Sequence, residues 1–330
     1  MSTGERMTWR GSPVVVAPGK IFLIGEYAVL DGAPAVVAAV SATAVGQFMP
    51  GIEPESLFVA ESVQATLAGL GDRAQALPPG SVLIDSSAFQ RNGKKLGVGS
   101  SAAVAAASVA AVMEMAGLPV AANRDMCFSL AERAHRAAQG GMGSGADVAA
   151  AVHGGIVLYR RPPHGYPIIQ KVRLPPAVRV VVFAEGTPAS TTDMVRAVRA
   201  YAQSNPDGYA RVMQPLREQA EMFAEAMPAG NLDQLLSSAR AYLEGLTELG
   251  ERVGVPIVTP RFQMAGDLAI NLGGVAKPSG AGGGDVGFAL FADDAAARDF
   301  ISRLAHLGLE AIDLGVDAAG VYRRQPGQSS

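Results

Sequence analysis

Cysteine is almost absent from this 330-residue chain. Cys127 stands alone, so no intramolecular disulfide can form and a small disulfide scaffold is excluded. It sits between Met126 and Phe128 in an expected helix, where a buried, inert thiol is the natural reading. Charge is also sparse, at 17% of residues, and neither sign dominates: 27 Lys+Arg against 30 Asp+Glu leave a net charge of −3. There is no global basic field to attract nucleic acid or an anionic membrane, so any bound anion must be held locally. Long hydrophobic runs are missing as well. The stretch from Val29 to Val45 is broken by Asp31, Gly32 and Pro34, which a membrane span disfavours. Met1 to Gly11 carries Glu5 and Arg6 without a long apolar run and does not read as a secretory signal. The expected compartment is therefore the cytoplasm.

What is present is 49% hydrophobic residues with 39 glycines and 21 prolines spread along the chain, the composition of a compact α/β (α+β) enzyme with many tight turns. The length suits two lobes sharing an interface. Val14 to Val16 reads as a strand, Pro18-Gly19-Lys20 as a turn, and Ile21 to Ile24 as a second strand. Pro34 to Val45, Ser56 to Val63 and Ser81 to Ile84 are expected to add sheet. Ser101 to Met115, nearly all Ala, Val, Met and Ser, predicts a central helix. A second helix runs from Asn123 to about Ala138, a short one starts near Asp147, and Gly155 to Tyr159 reads as strand. Pro162-Pro163-His164-Gly165 and Pro175-Pro176 bracket the expected lobe boundary, giving lobes of residues 1–175 and 176–330. The second lobe opens with strand Val178 to Ala184 and a run of helices from about Ser190 to Asn271. It ends with strand Gly287 to Phe291, helix Asp294 to His306 and strand Leu309 to Leu314.

Three glycine-rich loops stand out. Gly97-Val98-Gly99-Ser100-Ser101 precedes the alanine-rich helix, where crowded backbone N–H groups and the helix N-terminus together favour a phosphate. Ser100 and Ser101 could donate to phosphate oxygens or ligate Mg²⁺, and Lys94 and Lys95 lie just upstream. Taken alone, the same residues are also an ordinary helix start. Gly140 to Gly145 ends at Asp147, either a carboxylate facing the first loop or a first-turn residue favoured by the helix dipole. Lys277 to Asp285 carries more glycines than a simple turn needs, which suggests backbone approach to a ligand rather than a slack linker. The Walker pattern is absent, and Gly141-Met142-Gly143-Ser144-Gly145 has the wrong spacing for a dinucleotide fingerprint. A P-loop nucleoside triphosphatase and a Rossmann dehydrogenase are disfavoured.

Together, Pro18-Gly19-Lys20 through Gly25-Glu26-Tyr27-Ala28-Val29, Lys95 through Ala103, and Ser279 through Gly284 resemble the three ordered motifs of the GHMP kinases. The resemblance implies a two-lobed fold, an N-terminal lobe like ribosomal protein S5 and a ferredoxin-like C-terminal lobe with added helices, with the active site between them. Within that superfamily, Gln139-Gly140 to Asp147, Asp285 after the glycine run, and Ile84 to Gly97 are most similar to the phosphomevalonate kinases. Val286 departs from the pattern, standing where that branch commonly has cysteine, and the chain is shorter than the fungal members.

The resemblance implies ATP bound by Lys95, Gly97, Val98, Gly99, Ser100, Ser101 and Ala102, with Mg²⁺ on Ser101 and Glu132, although Glu132 also reads as an exposed helix charge. Lys20 and Asp147 match the catalytic positions. For the acceptor, the implied residues are Tyr27, His135, Arg136, Ser144, Gly145, Ser190, Thr191, Gly280, Ala281, Gly282 and Gly283. Ser190 reads equally as a helix N-cap, and the cations near the motifs, Lys94, Arg160 and Arg161 included, read mostly as solvated surface charge. The expected partners are phosphomevalonate and ATP, with no nucleic acid and no membrane. The sequence allows a homodimer without requiring one. Two other readings stand beside this one, a mevalonate kinase or other GHMP kinase and a non-catalytic nucleotide or sugar sensor.

Overall fold

The structure, a computed structural model, describes residues 12–91, 93–186, 190–316 and 318–325. The reading of Met1 to Gly11 lies outside them. The first half of the chain runs β1 (Val14–Ile24), β2 (Ala35–Pro50), α1 (Leu57–Leu70), β3 (Gly80–Asp85), β4 (Gln90–Arg91), β5 (Lys94–Lys95), α2 (Ser100–Met115), α3 (Arg124–Ala138), α4 (Ala146–His153), β6 (Ile156–Arg160) and β7 (Ile168–Val172). The second half runs β8 (Arg179–Ala184), α5 (Thr191–Ser204), α6 (Pro206–Ala229), α7 (Leu232–Val253), α8 (Pro260–Asn271), β9 (Val275–Pro278), β10 (Val286–Phe291), α9 (Asp294–Leu304), β11 (Glu310–Ile312) and β12 (Tyr322–Arg323).

Two antiparallel sheets carry the fold. One has the order β12-β1-β2-β6-β7 with β3 also on β2, the other the order β11-β8-β10-β9. The chain's end therefore returns to the first sheet, Val16 opposite Tyr322. Helix α2 fills the centre of the first half. Twelve of its sixteen residues are buried, and a helix apolar all round has to be inside. Its small alanines let it lie close to β1, β2, α1, α3 and α4 at once.

Two expectations are corrected. Val14 to Ile24 is one strand rather than two, because Pro18-Gly19 forms a bulge in the pairing with β2 instead of a turn. A proline in a strand is tolerated where pairing breaks, and Gly19 is needed because a β-carbon there would lie 2.4 Å from the Val98 carbonyl oxygen. Ser56 to Val63 belongs to a helix rather than to sheet. Ser56 caps it, its hydroxyl accepting from Val59 N–H. The buried set Val59, Ser62, Val63, Thr66 and Leu70 has helical spacing. Ser62 and Thr66 satisfy their hydroxyls on carbonyls one turn back. Strands β7 and β9 and the short β4, β5 and β12 had no counterpart in the sequence reading. Cys127 is buried as expected, its thiol pushed up to about 12 by burial. Among the described residues no helix is long and apolar enough to cross a membrane.

The bulge makes a stability prediction. Gly19→Ala should destabilise the protein by about 1–3 kcal/mol through overpacking against Val98 and Phe89. Denaturant titration beside Gly51→Ala separates this contact from a generic glycine effect, since a β-carbon at Gly51 meets nothing within 4 Å although its φ is positive.

Candidate active site

Three loops from both halves of the chain converge on one cleft. Strand β1 supplies Lys20 and Phe22, the turn after it Glu26 and Tyr27, and the loop into α2 with that helix's first residues Gly97 to Ser101. The loop before α4 adds Gln139, Met142, Gly143, Ser144 and Asp147. The loop between β9 and β10 adds Ser279 to Gly282 and Asp285.

Lys20 ties these pieces together. Its N–H donates to Val98 O at 2.8 Å. A β-carbon on Gly99 would lie 2.7 Å from Lys20 Cε, and one on Gly280 would lie 3.6 Å from Nζ. The lysine stem thus lies on the first loop while its ammonium faces the third. With only 8% of the residue exposed, burial pulls its pKa below the ordinary 10.5, against Asp147, Asp285 and Glu26, in that order, which favour the charged form.

Asp285 sits against the first loop so closely that a β-carbon on Gly97 would fall 2.2 Å from its Oδ1. Gly97, at φ +70, is required both by this contact and by its backbone angle. Burial raises the Asp285 carboxyl above its ordinary value, with Lys20 and Lys95 opposing. Asp147 opens α4. Its Oδ1 accepts from Val148 N–H at 2.9 Å, and its Oδ2 lies 3.7 Å from His135 Nε2. The same Nε2 is 3.0 Å from Ser101 Oγ, so buried His135 stands behind both groups rather than in the cleft.

Beneath the third loop lies a fully buried ion pair. Lys277 Nζ donates to Glu26 Oε1 at 2.5 Å and to Pro278 O at 2.9 Å, between the rings of Tyr242 and Phe288. Burial pushes the Glu26 carboxyl up and the Lys277 ammonium down, each opposing the other's shift. Beside it, Tyr27 has φ 61 and ψ −52, and Ala28 N–H donates to Glu26 O at 2.7 Å. This is a γ-turn of the rare, strained kind. Tyr27 is the single non-glycine residue with positive φ among the described residues, a conformation that costs on the order of 1–3 kcal/mol.

Of the residues expected from the sequence, Lys20, Tyr27, Lys95, Gly97, Val98, Gly99, Ser100, Ser101, Ser144, Asp147, Thr191, Gly280, Ala281 and Gly282 line the cleft together. The others lie off its wall. Ala102 is buried within α2, and Gly145 caps α4 beside Glu132 and Tyr159. Gly283 N–H donates to Ile257 O, and Ser190 caps α5 by accepting from Asp193 N–H. Arg136 turns to Gly141 O. Glu132 is held by Arg161 at 2.9 Å, and Arg160 by Glu221. Phe22, Leu30, Phe89, Met142 and Val195, which also line the cleft, were not anticipated. Phe22 was within reach, since it shares a strand face with Lys20 two residues away.

A buried lysine on a glycine-rich loop at a helix N-terminus, flanked by carboxylates, is the apparatus of a small-molecule phosphotransferase. Residues 63–155 match the GHMP kinases N terminal domain and residues 220–308 the GHMP kinases C terminal domain. The chain belongs to the GHMP kinases and has their fold. It is 30% identical over 323 residues to a phosphomevalonate kinase of Saccharolobus solfataricus, covering 92% of this chain and 97% of that one. It is 29% identical over 359 residues to a phosphomevalonate kinase of Streptomyces sp. strain CL190, covering 91% and 93%. The Streptococcus pneumoniae phosphomevalonate kinase in complex with phosphomevalonate and AMPPNP superposes with a TM-score of 0.80 at 23% identity, over 92% of this chain and 99% of that one.

The lowered Lys20 pKa sets a pH dependence. Deprotonation removes the charge that anions need, so kcat/KM should fall on the alkaline side with a midpoint below 10.5. Lys20→Arg, which keeps its proton, should lose that limb even if it turns over slowly. A wild-type midpoint at or above 10.5 would contradict a buried ammonium.

Proposed function

We propose that this protein transfers the γ-phosphoryl group of ATP to the phosphate of phosphomevalonate, giving diphosphomevalonate and ADP, a step in isoprenoid precursor synthesis. The acceptor assignment is carried by the similarity, over more than nine-tenths of the chain, to two relatives named phosphomevalonate kinase. The site suits that chemistry. A phosphate monoester with a second pKa near ~6 is already largely deprotonated at neutral pH, so the acceptor oxygen needs no strong base. It attacks the γ-phosphorus, and the bond to the β–γ bridging oxygen breaks with its electron pair leaving on ADP. The requirement is in-line placement and relief of repulsion between two anions.

In this reading, residues 1–175 form the lobe that supplies Lys20 and the nucleotide loop, and the expected second lobe of residues 176–330, less the end that returns through β12 to the first sheet, closes on the acceptor. Lys20 bridges donor and acceptor phosphates. Asp147, backed like Ser101 by buried His135, orients Lys20 and the metal side of the nucleotide. Magnesium fits Ser101 and Asp147, whose oxygens lie on the cleft wall, with nucleotide phosphates as its remaining ligands. Glu132 fits poorly, because Arg161 and Arg136 already compensate it. Bound there, the ion would neutralise phosphate charge. Among the cations near the motifs, Lys95 joins Lys20 on the wall of the cleft.

Coupled ADP release with mevalonate, phosphomevalonate, diphosphomevalonate, homoserine and galactose tests the assignment. Turnover is expected with phosphomevalonate, and failure with it alone overturns the proposal. Tight ATP binding with no ADP formation from any of the five would indicate a sensor instead. Lys20→Ala should lower kcat by about 10²–10³-fold with nucleotide affinity preserved, and Asp147→Asn should cost distinctly less. Equal losses in the two, with ATP binding intact in both, would overturn this division of roles.

A further inference from the structure

The Glu26–Lys277 pair and Tyr242 are unused by the chemistry above. Lys277 is 0% exposed, and neither it nor Tyr242 is on the cleft wall. A buried ion pair is a poor device for stability alone, since well-packed apolar residues often serve as well or better. Its placement points elsewhere. Tyr242 Oη donates to Glu26 O at 2.6 Å, the same carbonyl that closes the γ-turn onto Ala28 N–H. Lys277 holds the side chain of that same residue. Both the backbone and the side chain of Glu26 are thus gripped from the second half of the chain, immediately before the strained Tyr27. The Tyr27 ring lines the cleft, and its hydroxyl donates to Ala281 O at 2.5 Å in the third loop. Glycine would adopt this turn freely, but it offers neither ring nor hydroxyl.

We propose that the Lys277–Glu26–Tyr242 network is a positioning element that holds Tyr27 in its strained turn, and through the Tyr27 hydroxyl sets the third loop for the phosphoryl acceptor. Lys277 and Tyr242 act through Glu26 and Tyr27 and touch no ligand. The inference rests on the kinase reading of the cleft but not on which acceptor it takes. Backbone strain at a ligand site persists only where its surroundings impose it, and these two side chains reach Glu26 from the second half of the chain, beside the Gly280 backbone N–H.

A double-mutant cycle of Tyr242→Phe and Tyr27→Gly tests this, because the first variant removes one hydroxyl and the second removes the strain. Tyr242→Phe in the wild-type background should raise the acceptor KM about tenfold and leave the dissociation constant of an ATP analogue, read by fluorescence titration, within about twofold. In the Tyr27→Gly background the same change should shift the acceptor KM by less than about twofold, because a glycine turn needs no support. Equal effects in both backgrounds, or parallel loss of acceptor and nucleotide affinity, overturn the proposal. Should Tyr242→Phe not fold, the pair Glu26→Gln/Lys277→Met replaces it in the same cycle. The acceptor is whichever of the five compounds is phosphorylated, so a wrong acceptor identity does not disturb the cycle. If none is, non-additivity of the ligand-free thermal midpoints decides: coupled midpoints support the network, additive ones overturn it.

Discussion

The hydrogen bond from Lys20 N–H to Val98 O fixes where everything else in the site can be. It forms because the bulge at Pro18-Gly19 frees β1 from regular pairing with β2 at that point, and because Gly19 lets the two backbones meet. With the first motif pinned to the loop ahead of α2, the Lys20 side chain can go nowhere except along Gly99 toward the third loop. That loop is tied back in turn, as Ser279 Oγ accepts from Phe22 N–H at 2.7 Å. The lobes are joined at the site by backbone atoms as much as by side chains, so the cleft is shaped by the fold itself.

Much of this could be read in advance where glycine, lysine and serine occur in a fixed order. The loop at Gly97 to Ser101, the Lys20 strand, Asp147 and the Ser279 to Gly282 loop were all legible, because each depends on local chemistry: close backbone approach, a helix start, a charge beside them. The residues that the reading misplaced depend on direction. Arg136 and His135 are adjacent on α3, and only the packing of that helix decides that His135 turns in toward Ser101 while Arg136 turns out to Gly141. Glu132, one turn earlier, meets Arg161 just past β6, a contact set by tertiary structure.

The same distinction explains the errors of fold. In Ser56 to Val63 an alternating stretch was too short for its period to be tested. Thr66 and Leu70, which complete the helical face, lie beyond it. The strand β7 is mostly exposed and so leaves little hydrophobic pattern to detect. Lys277 shows the limit most clearly. It reads as part of a polar, glycine-rich loop, yet it is completely buried, because its partner Glu26 lies 251 positions away. No local pattern encodes such a pairing.

Charge gives the last step. The cleft is not electropositive in the ordinary sense: Lys20 and Lys95 share it with Asp147 and Asp285, and Glu26 is already paired with Lys277. Attraction for a nucleotide must then come largely from elsewhere. Six helices, α1 and α5 to α9, begin with a side chain that accepts from their first turn. Helix α2, like α3 and α4, begins with no such cap, and its first turn at Ser100 and Ser101 lies on the cleft wall, so its first N–H groups are left to an anion there, aided by the helix dipole. The carboxylates around Lys20 favour its charged form against the effect of burial, and they oppose any anion that does not bring its own cation. In the proposed reaction, that opposition is what a divalent ion on the nucleotide would relieve.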